Sequence, residues 1–320
     1  MITKDQLEKN QIKIYIITLL LAGFTGLNFS QFQSNLENLI PIMLGILMYS
    51  MFVLIPFAAL KESLSNRRFF FALCIVNFIA VPIVVWGLMF FMPDYPPLVL
   101  GVCLVLLTPC IDYVIVFTAL GKGNEKAMLS ATPFLFIAQM LLLPFYLWLF
   151  IGEQAANLVE VAPFVEAFVT FIVLPLFIAL IVQFLLKEGS RVYEASSWLP
   201  VPFMALTLFV IVASQIGKLA GSLEWILRVI PVYIAFMIIM PFISKVVGKW
   251  LKLDIRTGRA LIFSGSTRNS LVVLPFALAM PEQIRSLVVA VIVTQTIVEI
   301  IGELMYIRII PQFVLRDNRE

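Results

Sequence analysis

Histidine is missing from all 320 residues, so no imidazole is available to ligate a metal or to exchange protons near neutral pH. Charge is scarce as well. Only 13% of the residues are Asp, Glu, Lys or Arg, and a net charge of +3 gives little support for a nucleic-acid-binding surface. The three cysteines, Cys74, Cys103 and Cys110, all lie inside apolar segments, a placement that suggests no disulfide framework and carries no zinc spacing. There is no nucleotide-binding loop and no recognisable nucleophile–base pair, which argues against an enzyme and against a bound cofactor.

What remains is apolar. Hydrophobic residues make up 62% of the chain, more than a water-facing surface can cover, so a lipid bilayer is the expected solvent. Unpaired backbone groups are not tolerated in hydrocarbon, and only helices or a closed barrel avoid them. The apolar runs are about 20 residues long and lack period-two alternation, which selects an all-α fold. Ten transmembrane helices are expected, at 11–29, 37–60, 69–92, 96–120, 127–150, 161–186, 198–219, 225–248, 257–280 and 285–314. The first is read as a retained span and not a cleaved signal peptide.

Basic residues near span ends gather on one side, among them Lys4, Lys13, Lys61, Arg67, Arg68, Lys122, Lys126, Lys187, Arg191, Lys245 and Lys249, while the other side receives only Lys218, Arg228 and Arg285. That asymmetry predicts both termini in the cytoplasm and a location in the cell inner membrane. Similar features recur in the same order in the two halves: an interrupted span, a short turn, then a span with a mid-membrane glutamine, Gln139 or Gln295. Two inverted five-helix repeats, 11–150 and 161–314, are therefore expected within one integral membrane domain, with broken helices 4 and 9 crossing.

The interruptions carry the chemistry. Span 4 contains Thr108-Pro109-Cys110-Ile111-Asp112, and span 9 contains Ser264-Gly265-Ser266-Thr267-Arg268-Asn269-Ser270. A proline removes a helix donor and small polar residues offer the backbone other partners. Pro109 and Gly265 are therefore the expected break points. Unwound backbone at membrane depth is tolerated only inside protein or along an aqueous cavity, so Thr108, Cys110, Asp112, Ser266, Arg268, Asn269 and Gln295 are candidate substrate contacts.

Asp112 and Arg268 each cost roughly 2.5–3.5 kcal/mol to insert near a helix centre. Each is expected to have a partner, and they could simply pair with one another. Arg268 suits an oxyanion or a carboxylate. The thiol of Cys110 is a soft ligand, suited to trivalent arsenic or antimony. Asp112 and Glu299 are the candidate proton carriers; Gln295, Glu299 and Glu303 share a helix face, with Glu303 expected at a wetter rim and Asn77 in simple helix packing.

At these broken spans the sequence resembles the bile acid:sodium symporter superfamily and, within it, the arsenical-resistance permeases. The resemblance rests on Thr108-Pro109-Cys110, Gly121-Lys122-Gly123-Asn124, Gly265-Ser266-Thr267-Arg268-Asn269-Ser270 and Gln295-Thr296-Ile297-Val298-Glu299. It implies an alternating-access secondary transporter with a mobile panel and a core of crossed helices, in which Cys110 and Glu299 match functional positions of arsenite exporters. Those exporters carry a glutamate where Leu271 stands here, and the sodium-coupled branch has polar cation ligands where this chain has Val114, Ile115 and Ser264. The expected function is export of arsenite-like species by proton antiport. The alternative is proton- or sodium-coupled transport of an organic or inorganic anion, arsenate-like or bile-acid-like.

Overall fold

The computed structural model describes residues 4–57, 66–152, 161–185, 190–217 and 223–316; of the basic residues that set the orientation, Lys61, Lys187, Lys218 and Arg319 lie outside them. The helices are α1 (Lys4–Asn28), α2 (Gln33–Phe52), α3 (Arg67–Met89), α4 (Pro96–Leu106), α5 (Val114–Leu120), α6 (Glu125–Ile151) and α7 (Val165–Phe184). They continue as α8 (Arg191–Ser197), α9 (Pro200–Gln215), α10 (Leu223–Trp250), α11 (Ile255–Ser266), α12 (Ser270–Leu278) and α13 (Glu282–Val314).

The all-helical character holds, but the expected ten spans do not. Among the described residues six helices are long and apolar enough to cross a membrane (α2, α3, α6, α7, α10 and α13), or seven if α8 and α9, bent by 44°, form one span. Among the described residues no architecture of ten helices in two inverted repeats is shown. The reason is length. A helix rises 1.5 Å per residue and a hydrocarbon core is about 30 Å thick. The stretches expected as spans 4 and 9 are cut into pieces of 11, 7, 12 and 9 residues, none of which can cross alone. The apolar part of α1 is likewise short, confined to Lys13–Asn28, so the result is a multi-pass membrane protein with two apolar runs cut by polar interruptions and a third shortened by the polar residues at its start.

The chain divides into two compact units, Met1–Ile55, Val159–Leu223 and Leu274–Ala290 in the first, and Pro56–Leu158, Glu224–Val273 and Val291–Glu320 in the second. In the first, α1 packs along α9, and Gly26 permits the approach: a Cβ there would lie 2.5 Å from the Ala213 carbonyl oxygen. Small residues at such contacts let helix backbones close together in lipid, where apolar burial supplies no drive. The orphan carbonyls at the end of α2 are collected by one side chain, with Gln183 Nε2 at 3.1, 2.8 and 2.8 Å from the oxygens of Phe52, Val53 and Ile55. That contact satisfies a helix terminus that lipid cannot.

In the second unit, the part of α13 from Val291 onward carries the polar groups, and α13 is the most enclosed of the six long spans. α3 contains a π-helical turn at Val76–Ala80, followed by Pro82. Proline has no N–H for the carbonyl four residues earlier, and the Phe78 oxygen instead receives the Tyr146 hydroxyl from α6 at 2.7 Å. The turn also carries Asn77, which is fully buried. At the start of α11, Asp254 caps the helix by accepting from the Thr257 amide at 3.0 Å. Partial burial raises the Asp254 pKa, but the hydrogen bonds from Thr257 and nearby amides outweigh it and hold the carboxyl below its ordinary value.

Candidate functional site

The two interruptions meet backbone to backbone inside the second unit. Pro109 faces Arg268 in an isolated antiparallel bridge, flanked by Cys110 N–H to Thr267 O at 3.2 Å and Asn269 N–H to Thr108 O at 2.8 Å. Pro109 takes the position in this pairing that requires no amide donor. The Arg268 amide, opposite it, is turned outward and donates to Glu299 Oε2 at 2.6 Å. Gly265 is needed just before the break, because a Cβ there would stand 2.4 Å from Ser244 Oγ and 2.5 Å from Val76 Cγ1.

Glu299 is completely buried and gathers three donors. Besides the Arg268 amide these are the Tyr113 hydroxyl on Oε1 and Gln295 Nε2 on Oε2. Three donors and no acceptor suit the hydrogen-bonding capacity of a carboxylate. The Arg268 side chain runs elsewhere. Its Nη2 donates to Asn77 Oδ1 at 2.8 Å and to Ser264 O at 2.6 Å, Nη1 reaches Leu106 O at 3.4 Å, and the guanidinium lies 5.6 Å from the centre of the Phe236 ring. Asn77 is fixed in turn by donating to Ser264 Oγ at 3.0 Å. A buried cation is thus satisfied by carbonyls, an amide and an aromatic face, with its countercharge reached only through its own backbone.

On the other strand of the pairing, Asp112 Oδ1 accepts from the Cys110 thiol at 2.7 Å and from the Tyr113 amide at 2.6 Å. Asp112 and Arg268 do not pair directly. Thr108 turns its hydroxyl back to Leu104 O at 2.6 Å, and Asn269 Oδ1 caps α12 by accepting from the Val272 amide at 3.1 Å. Among the described residues, buried polar atoms at the break or beside it without a hydrogen-bond partner include Arg268 Nε, Asn269 Nδ2, Gln295 Oε1 and Glu303 Oε2.

Every residue singled out in the two interruptions and on α13 therefore falls in one connected region of the second unit. Tyr113 and Asn77 were not anticipated as members. Tyr113 follows Asp112 in the break, so its position was visible, but its bond to Glu299 joins residues 186 apart in sequence. Asn77 reads as a packing amide until the π turn aims it at Arg268. Glu303, expected at a wet rim, is instead fully buried, because its face of α13 lies against the break, where Thr267 Oγ1 stands 2.8 Å from Oε1. Among the described residues no group of three or more Cys, Asp or Glu side chains could hold a metal ion, and Cys110 is one thiol where a trivalent metalloid binds most firmly to several.

Comparison with known proteins adds one match and one blank. The family model described as Sodium Bile acid symporter family matches residues 41–222, more than half of the chain. The matched stretch takes in Asn77 and the Thr108–Tyr113 interruption and ends before Arg268 and Glu299. No curated protein matches the chain.

Proposed function

Because the chain belongs to the Sodium Bile acid symporter family, a family of non-catalytic membrane carriers, we propose that this polytopic secondary transporter moves a small organic or inorganic anion by alternating access. Coupling is to sodium or to protons. The observation that carries the reading is the pairing of the two interrupted segments around a buried arginine, with the Arg268 Nε–H and the Asn269 Nδ2 amide both unpartnered. Two donors without acceptors, on residues neighbouring in sequence and accompanied by a fixed positive charge, match an anionic group in sign and hydrogen-bond sense. The asymmetric distribution of Lys and Arg supports a cell inner membrane location with both chain ends cytoplasmic.

The substitution Asn269→Asp tests this reading. Asp keeps the oxygen that caps α12 and replaces the unpartnered donor by a negative acceptor, so folding is retained while an anion is repelled. Proteoliposomes given labelled taurocholate or arsenate, with sodium and proton gradients imposed separately, are expected to accumulate one of the anions, and N269D is expected to abolish it. Undiminished uptake by N269D would remove the anion reading.

A second reading, export of arsenite by proton antiport, is favoured by one observation, the buried Cys110 thiol bonded to Asp112 at the break. It predicts arsenite accumulation in energised everted vesicles that Cys110→Ala abolishes. Arsenite flux unaffected by that change would exclude a thiol ligand.

A further inference from the structure

Glu303 lies one helical turn beyond Glu299 on α13 and is as deeply buried, but its surroundings are opposite in kind. Glu299 receives three donors. Glu303 has Thr267 Oγ1 beside Oε1 at 2.8 Å, and its Oε2 has no partner. Thr267 owns a single hydroxyl proton, and the Phe263 carbonyl oxygen lies at 2.7 Å to receive it. The hydroxyl can serve one of these acceptors at a time; if it served Glu303, the other oxygen of a carboxylate would still lack a donor, so the arrangement fits a carboxyl that supplies the proton to Thr267 while Thr267 serves Phe263.

Charge counting gives the same answer. Among the described residues, the ionisable groups facing Glu303 are Glu299 and Tyr306, both on α13. From the break it meets the Thr267 hydroxyl, while the Arg268 guanidinium is committed to Asn77 and Ser264. A second buried anion one turn from Glu299 would face like charge without a cation of its own.

We propose that Glu303 is a neutral carboxylic acid that binds and releases the coupling proton, with Thr267 as its hydroxyl switch, while Glu299 remains a fixed carboxylate. In the loaded state the Glu303 O–H donates to Thr267 Oγ1, whose own proton goes to Phe263 O. On release the proton leaves Glu303, and the Thr267 hydroxyl rotates from Phe263 to donate to the carboxylate. One O–H bond breaks, one hydroxyl turns, and no other reactant is required. That the proton is used in transport rests on the reading given above; that the proton is present does not.

Infrared spectra of the full-length protein in lipid, taken across a pH titration without substrate, read the site directly. A protonated-carboxyl C=O band is expected in the wild type and in Glu299→Gln, absent in Glu303→Gln, and shifted in Thr267→Val. A band that persists unchanged in E303Q, or is lost in E299Q instead, would overturn the assignment, as would displacement of the proton by sodium ions alone. In proteoliposomes with a trapped pH dye, taurocholate and arsenate serve as probes. E303Q is expected to keep exchange of the transported anion and to lose the accompanying proton movement; proton movement at the wild-type rate would refute the coupling role. If neither probe moves in the wild type, the anion reading fails, and the infrared result still decides the state of Glu303.

Discussion

Replacing Arg268 by methionine, which is apolar and of similar reach, removes a buried cation whose anion stays behind. The Glu299 carboxylate would keep its three donors, including the residue 268 amide, which does not depend on the side chain. It would lose the only positive charge identified beside it. Leaving one member of a buried charge pair alone is worth about 3–5 kcal/mol. Asn77 Oδ1 and Ser264 O also lose their donor, although such bonds average nearer 0.6 kcal/mol within membranes. The Met variant is therefore expected to be destabilised by about 3–5 kcal/mol, and Glu299→Gln, which keeps an acceptor for the amide, by about 1–3 kcal/mol. In the double variant neither charge is buried, so its loss should fall short of the sum by about 1–3 kcal/mol. The assay is unfolding in mixed micelles of mild detergent and dodecyl sulfate, followed by helicity. Because the two residues are joined through the backbone and not by an ion pair, the non-additive part isolates their through-space attraction. Losses that add to within about 0.5 kcal/mol would refute the view of Arg268 and Glu299 as a compensated buried pair.

Tyr146→Phe should orphan the Phe78 carbonyl that Pro82 cannot serve, for a loss of about 1 kcal/mol; in the Pro82→Ala background, which restores an amide at position 82, the same change should lose less, and equal losses would disprove the compensation. Gly265→Ala drives a methyl to within 2.4 Å of Ser244 Oγ and should lose about 1–3 kcal/mol of stability, partly recovered by Ser244→Gly; wild-type unfolding of G265A would show that the close approach is not required. Asp254, held below its ordinary pKa in the folded protein, contributes stability that is full above the unfolded value of about 3.9 and lost as pH falls through the folded value. Asp254→Asn, which still caps α11, should therefore flatten the acid limb of the stability profile below about pH 5, and an unchanged acid limb would rule out this contribution.

How much of this was legible in the sequence depends on the range of the interactions involved. The interruptions at Pro109 and Gly265–Ser270 announce themselves locally, since proline and clustered small polar residues unsettle a helix wherever they occur. The superfamily was legible in the same motifs, and the family match agrees at that level without reaching the arsenical-resistance branch. The number of spans was misjudged because hydropathy counts apolar residues and not unbroken turns. Pieces as short as Val114–Leu120 are apolar enough for a span but not long enough. Glu303 was misplaced because its distance from the end of its helix says nothing about what covers its face.

Composition and periodicity determined by themselves that the protein lives in lipid, that it is helical, and that the few polar groups inside it need partners there, because each follows from the free energy of moving a residue or a backbone group out of water. Partnership was decided only by the tertiary structure. Three donors converge on Glu299 and almost none on Glu303, although the two carboxyl groups are a single turn apart on one helix. That difference arises from Tyr113 and Thr267, on segments more than 150 residues apart in the chain, and no local pattern encodes where such segments meet.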